Sequence, residues 1–342
     1  MKKRLPATIT GILVLAVPGI VPAQNLFVSG LENNTITQIT PGGLKSIFAS
    51  GLNVPRGLAF NSAGDLFQVD QNSGNIYEYT PGGSRSTFAS GLGESWSLAF
   101  NSAGDLFVGT SQGSASVIIE YTPGGVKSSF ASGVARPYGL AFDSAGNLFE
   151  ADYNTGHIYE FTPGGVQSTF ASGLAGPWGL AFNSAGDLFE ADSSSGKIYE
   201  FTPAGTRSTF ASGLNLLGGL AFNSADDLFV AEDSSGNIYR FTPSGVKSTF
   251  ASGLDFPDGL AFQPVPEPSG WKMLGMGALA VFGLRRKRCF LRQGVAHRPK
   301  KREMTPPNKR PGVDAGWRVL FAFQRPWPRA TQAGRSATDE DC

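Results

Sequence analysis

The chain is written in near-copies of itself. Leu-Ala-Phe begins at Leu58, Leu98, Leu140, Leu180, Leu220 and Leu260, and Phe-Ala-Ser at Phe48, Phe88, Phe130, Phe170, Phe210 and Phe250. Thr-Pro recurs at Thr40, Thr80, Thr122, Thr162, Thr202 and Thr242, so the step is 40 residues, with a single step of 42. A unit of this length without helical periodicity cannot bury its own apolar face. It must pack on its neighbours in a radial or stacked β architecture.

One unit, from Gly179, reads as four short strands. Gly-Leu-Ala-Phe is an apolar run, and Asn-Ser-Ala-Gly is a turn ending in the residue that accepts positive φ. Asp-Leu-Phe-Glu-Ala-Asp and Lys-Ile-Tyr-Glu-Phe-Thr then alternate large apolar with polar residues, the period of a strand. Pro-Ala-Gly turns the chain, and Thr-Arg-Ser-Thr-Phe-Ala-Ser is the fourth strand. Gly-Leu-Ala-Phe, with two tiny residues on one face and two large ones on the other, suits the crowded innermost position. The turn Asn-Ser-Ala-Gly-Asp offers too few oxygens for a calcium loop and is read as an Asx-bonded inter-strand turn.

The strand inventory closes a ring. The sixth Gly-Leu-Ala-Phe, at Gly259–Phe262, follows the last Phe-Ala-Ser, whereas the first unit opens at Asn25-Leu26-Phe27-Val28 with no such strand before it. Pairing these two segments leaves no open innermost edge. The expectation is an all-β, six-bladed propeller with four-stranded blades over residues 24–262, closed without a covalent link.

The net charge of +1 conceals an asymmetry. Residues 24–264 hold 9 Lys+Arg against 21 Asp+Glu, a balance of −12, and residues 265–342 hold 16 against 6, a balance of +10. An acidic ring is a poor nucleic-acid partner. Cys289 and Cys342 both fall outside the ring, which removes thiol catalysis and zinc–thiolate sites from it. The ring's one histidine, His157, stands where other units have Asn75, Lys197 and Asn237, and is read as a solvated turn residue.

The pattern Pro-x-Gly-Leu-Ala-Phe-[Asn/Asp]-x-x-Gly-[Asp/Asn]-Leu-Phe-x-x-Asp resembles the NHL-repeat group and the gluconolactonase-like six-bladed propellers across residues 25–262. The enzymatic members imply a divalent metal in the axial funnel, held in part by the x of Pro-x-Gly. Those positions here are Arg56, Trp96, Tyr138, Trp178, Gly218 and Asp258. A hard cation needs several oxygens, and only Asp258 supplies one, so no metal ligand, cofactor or catalytic residue is assigned. A metal-dependent hydrolase or lactonase stays as the alternative to a binding protein.

The ends carry addresses. Lys2, Lys3 and Arg4, the apolar run Ile9–Ile20 and the exit Val21-Pro22-Ala23 read as a signal peptide over residues 1–23. Residues 263–288 run from Val265-Pro266-Glu267-Pro268 through an apolar stretch to Arg285-Arg286-Lys287-Arg288, a short hydrophobic segment with a basic stop. This order resembles a PEP-CTERM sorting signal. It implies a Gram-negative host, an exosortase-type membrane protease as partner, and location at the envelope or in extracellular polysaccharide. Residues 289–342 are basic and proline-rich and are read as a disordered tail.

Variation between copies concentrates on the face carrying Arg56, Trp96, Tyr138, Trp178 and Asp258, with Asp70, Asp152, Asp192 and Glu232 outside them. Aromatics, an arginine and carboxylates together suit a sugar ring and its hydroxyls. They equally suit a packed plug, with the aspartates as turn caps. The ligand candidates are therefore Arg56, Trp96, Tyr138, Trp178, Asp258, Asp152 and Asp192. The expected function is that of an exported, non-catalytic binding or scaffold protein, with polysaccharide or another envelope protein as partner.

Overall fold

The protein is described from a computed structural model covering residues 24–112 and 115–265. The expected signal peptide, the sorting motif from Pro266 onward and the basic tail lie outside the described residues.

Among the described residues, twenty-four strands form six four-stranded antiparallel sheets. Five blades follow the chain directly: Pro55–Phe60 to Arg85–Ala89, Ser95–Phe100 to Lys127–Val134, Pro137–Phe142 to Gln167–Ala171, Pro177–Phe182 to Arg207–Ala211, and Leu217–Phe222 to Lys247–Ala251. These are the second to sixth blades. The first is composite. Pro257–Phe262 is its innermost strand, followed outward by Leu26–Gly30, Thr35–Ile39 and Lys45–Ala49. Its register places Leu26 opposite Phe262, Phe27 opposite Ala261 and Val28 opposite Leu260. The two chain ends of the ring thus share one sheet, as the strand inventory requires.

Each seam between blades is filled by the same unit. Phe27, Phe67, Phe107, Phe149, Phe189 and Phe229 are buried, and each meets two further phenylalanines edge-on at 4.8–5.1 Å. Edge-to-face contact lets the quadrupoles attract while the rings interlock. Six such clusters, each shared by adjacent sheets, replace a single central core.

The turns follow their spelling. Asn61 Oδ1 accepts the backbone N–H of Ala63 at 2.9 Å and of Asp65 at 2.8 Å, while its amide donates to the Asp65 carboxylate at 3.0 Å. The same arrangement recurs at Asn101 and Asn223. In the Thr-Pro turns the Thr40 hydroxyl accepts the Leu44 N–H at 3.1 Å, with equivalents at Thr80, Thr122, Thr162, Thr202 and Thr242. The carboxylates of these turns are consumed locally.

Near the axis the innermost strands approach so closely that only small residues fit. A Cβ on Gly219 would lie 2.6 Å from the Asp258 carbonyl, and one on Gly259 would lie 2.5 Å from that of Arg56. The third blade places Ser97 here, and its hydroxyl donates to the Pro137 carbonyl at 2.6 Å.

Candidate functional site

A bulge in the innermost strand builds the site. Pro55 pairs with Asp70 and Leu58 with Gln68, so three steps on the inner strand match two on its neighbour. The fourth, fifth and sixth blades shift register at the same place. An extra residue re-aims the side chain it carries, and the residue carried is the x of Pro-x-Gly. Arg56, Trp96, Tyr138, Trp178 and Asp258 accordingly line one axial cavity.

This mouth has two unlike halves. Tyr138 and Trp178 stack at 4.1 Å, Trp96 meets Tyr138 edge-on at 5.5 Å, and Tyr153 meets both Tyr138 and Trp178 edge-on at 5.1 and 5.7 Å. Opposite them, Arg56 pairs with Asp258 at 3.3 Å and donates through Nε to Gln71. The Arg56 guanidinium also sits 5.6 Å from the Trp178 ring and 6.0 Å from that of Tyr138, within cation–π range. Trp178 Nε1 donates to Asp258 Oδ1 at 3.0 Å. The faces expected to receive a sugar are therefore largely in contact with one another. Trp96 is buried, and the cavity beneath the rings holds about 70 Å³, room for waters but not for a sugar ring. Any larger ligand rests on the rim, where Tyr138, Tyr153 and Trp178 are half-buried.

Asp152 and Asp192 do not join this mouth. Asp152 Oδ2 accepts the Ala135 N–H at 2.7 Å and its Oδ1 that of Thr155 at 3.1 Å. Asp192 holds Ala175 and Ser195 at 2.7 and 3.0 Å. Asp70 does the same for Asn53 and Ser73, and Glu232 for Asn215. All four are buried loop caps.

The second ring of the mouth lies one residue further along: Leu31, Gln71, Ser111, Tyr153, Ser193 and Asp233. Each is anchored by its own N–H to the carbonyl of an inner loop, at 2.8–3.2 Å. The position before each is an acid in four of the six copies, Asp70, Asp152, Asp192 and Glu232, whereas this one differs in nearly every copy. Asp233 matters most. Its Oδ1 is buried without a partner, and burial first, then the charge of Asp258, raises its pKa to about 8, Arg56 opposing.

The backbone is strained on the charged half. Val54, Leu216 and Phe256 take φ of 59°, 48° and 44° in the loops that enter the second, sixth and first blades. Positive φ is uncommon away from glycine and unfavourable for a β-branched or bulky residue, and such strain concentrates at functional positions. Leu216 and Phe256 are also exposed, at 49% and 42%.

A divalent cation in the funnel does not fit these residues. The one carboxylate among the Pro-x-Gly positions, Asp258, already accepts from Arg56 and Trp178. Among the described residues no group of three or more His, Cys, Asp or Glu side chains is placed to hold a metal.

Fold and mouth define the class: a six-bladed β-propeller with an asymmetric axial rim. Solved structures share that fold. A nidogen/laminin complex is similar at 20% identity, covering 70% of this chain and 98% of that chain with a TM-score of 0.64. A streptogramin B lyase is similar at 15% identity over 72% and 89%, TM-score 0.57. The virginiamycin B lyase of Staphylococcus aureus is similar at 16% over 69% and 84%, TM-score 0.56. No protein-family model and no curated protein matches the sequence.

Proposed function

We propose that the chain is an exported, envelope- or matrix-associated propeller acting as a non-catalytic binding or scaffold protein, with its ligand taken at the rim of the axial mouth. The observation that carries this reading is the asymmetry of that rim. All six blades share their Thr-Pro turns and phenylalanine clusters, yet the rim places aromatics over the third to fifth blades. Over the sixth, first and second it places charge, strained loops and two exposed apolar side chains. A ring built only as a scaffold has no physical need for this difference. The propellers it resembles in fold include one from a protein–protein complex and two named as lyases. A lyase or lactonase reading gains nothing from the residues here, since Asp258 is committed to Arg56 and Trp178.

Export and processing rest on the order of segments at the two ends. The mature protein is proposed to begin at Gln24 and to be cut near Pro266-Glu267-Pro268 by an exosortase-type protease. The mass of the surface form decides this; a species that retains residues 289–342 would refute the processing. Binding is tested by thermal melts with a panel of mono- to trisaccharides, with and without EDTA. A sugar that raises the melt of the wild type but not of Trp178→Ala supports the rim. Calcium-dependent melting with lactone turnover would reinstate the enzyme.

A further inference from the structure

The opposite face, where turns hardly vary, holds three equivalent grooves. One lies at the seam of the second and third blades (about 490 Å³), one between the fourth and fifth (about 630 Å³) and one between the fifth and sixth (about 500 Å³). These volumes fall in the range of small-ligand sites, roughly 300–1,000 Å³. Each has a floor of two half-buried phenylalanines, for example Phe170 and Phe182, and each carries one Glu and one Thr from the two outer strands: Glu78 with Thr87, Glu160 with Thr169, Glu200 with Thr209.

The other seams carry other pairs at these positions: Gln38 with Ile47, Glu120 with Ser129, Arg240 with Thr249. The fold therefore does not require Glu with Thr; the three grooves have it in common. No Lys or Arg lines any of them. The described residues hold two ion pairs, Arg56–Asp258 and Arg240–Asp227, so the groove glutamates are not neutralised by a base. A carboxylate over an aromatic floor, with no resident cation, complements a ligand that brings positive charge. The exposed Thr hydroxyls of the grooves complement hydroxyl groups. The last two grooves are contiguous, sharing Asn183 and Ala185 as a common wall, which suits an occupant that continues from one seam to the next.

We propose that these three grooves form a repeated site for an oligosaccharide bearing free amino groups, each Glu pairing an amine and each phenylalanine floor receiving the apolar face of a sugar ring. Several weak, identical sites on one chain gain avidity for a polymer without any single tight contact. This site is independent of the axial rim.

The test is calorimetry on the purified full chain with a glucosamine trisaccharide, its N-acetylated form and trilysine as probes. The glucosamine trisaccharide should bind at about three equivalents per chain, and Glu78→Gln, Glu160→Gln and Glu200→Gln should each remove about one, a loss of roughly tenfold or more at that groove. Thr169→Val, which keeps the β-branched shape of the strand, should weaken one site and serves as a second probe should a Gln variant melt early. Trp178→Ala should leave all three intact. The proposal is overturned by no binding, or by a single equivalent that Trp178→Ala removes. Equal affinity for the N-acetylated form would show that the amine is not read. Tighter binding of trilysine would show that the grooves serve a basic peptide.

Discussion

Trp178 of the fifth blade donates its indole N–H to Asp258 of the first at 3.0 Å, reaching past the sixth blade, whose equivalent position is Gly218. The reach depends on that glycine having no side chain. A Cβ at Gly218 would already lie 3.0 Å from Asp233 Oδ1 and 3.2 Å from the Pro257 carbonyl. Trp178→Phe keeps most of the stack on Tyr138 and removes only the donor, leaving Asp258 to Arg56 alone. We expect a loss of about 1–2 kcal/mol by thermal or urea unfolding, as for a hydrogen bond to a charged group. Gly218→Leu, which forces the indole away, should cost more. Equal stability of both variants and the wild type would show that the bridge contributes nothing.

Glu150 and Glu190 are fully buried, and no carboxylate oxygen of either has a hydrogen-bond partner. Burial raises both pKa values well above the ordinary 4.5; Asp152 and Asp192 add to the rise, and around Glu190 Arg207 and the Trp178 backbone oppose it. The neighbouring copies have Val28, Val108 and Val230 at this place. Glu150→Val and Glu190→Val should therefore stabilise the ring by about 1–3 kcal/mol each, the cost of a buried polar group left unpaired. The sign with pH follows from linkage. The folded state holds these protons while the unfolded state releases them above about 4.5, so stability falls as pH rises past that point. Melting temperature against pH should decline above 4.5 in the wild type and decline less steeply in the double variant, which keeps Asp233; parallel curves would refute the assignment.

The blade count and the closing strand were legible because closure is a matter of bookkeeping: a Gly259–Phe262 strand without its own blade and a Leu26–Gly30 strand without an inner partner have one consistent pairing. The rim was legible in part. Copy-to-copy variation located Arg56, Trp96, Tyr138, Trp178 and Asp258, because shared structure holds everything else constant. It could not tell a platform from a plug, since stacking of Tyr138 on Trp178 depends on how the bulge aims both rings. For Asp152 and Asp192 the hydrogen bonds favour the turn-cap alternative over the ligand one. They end a strand beside the mouth, but their oxygens turn back to loop N–H groups. The burial of Glu150 and Glu190 was not legible because period-two alternation marks a strand without telling whether its polar face is covered, and neighbouring blades cover both faces of this second strand.

Asp233 offers a second pH dependence, at the rim. Its pKa of about 8 against an ordinary 3.8 means that the folded state favours the protonated acid, so stability again declines as pH rises from about 4 through 8. Asp233→Asn keeps the shape and the neutral form at every pH. It should match the wild type in acid and exceed it above pH 8, read as melting temperature across that range. If Asp233→Asn instead loses stability uniformly, the carboxylate is ionised and paired with Arg56.

Closure of the ring rests on six residues. Pro257–Phe262 covers the inner edge of Leu26–Gly30, and Ser29 Oγ accepts the Gly259 N–H at 2.8 Å inside the seam. Its apolar residues Leu260 and Ala261 also complete two of the six inter-blade clusters. Removing the chain from residue 257 onward exposes the Leu26–Gly30 edge and opens the seams on both sides of the first blade. An unpaired apolar edge is a template for intermolecular pairing. The truncated protein should aggregate in light scattering, whereas a truncation after Val265 should not aggregate and should keep the wild-type melt. Adding a synthetic peptide of residues 255–264 in trans should rescue the shorter form. Rescue fails if the strand closes the ring only through its covalent continuity with the sixth blade, because a free peptide then bears the full cost of association without that tether.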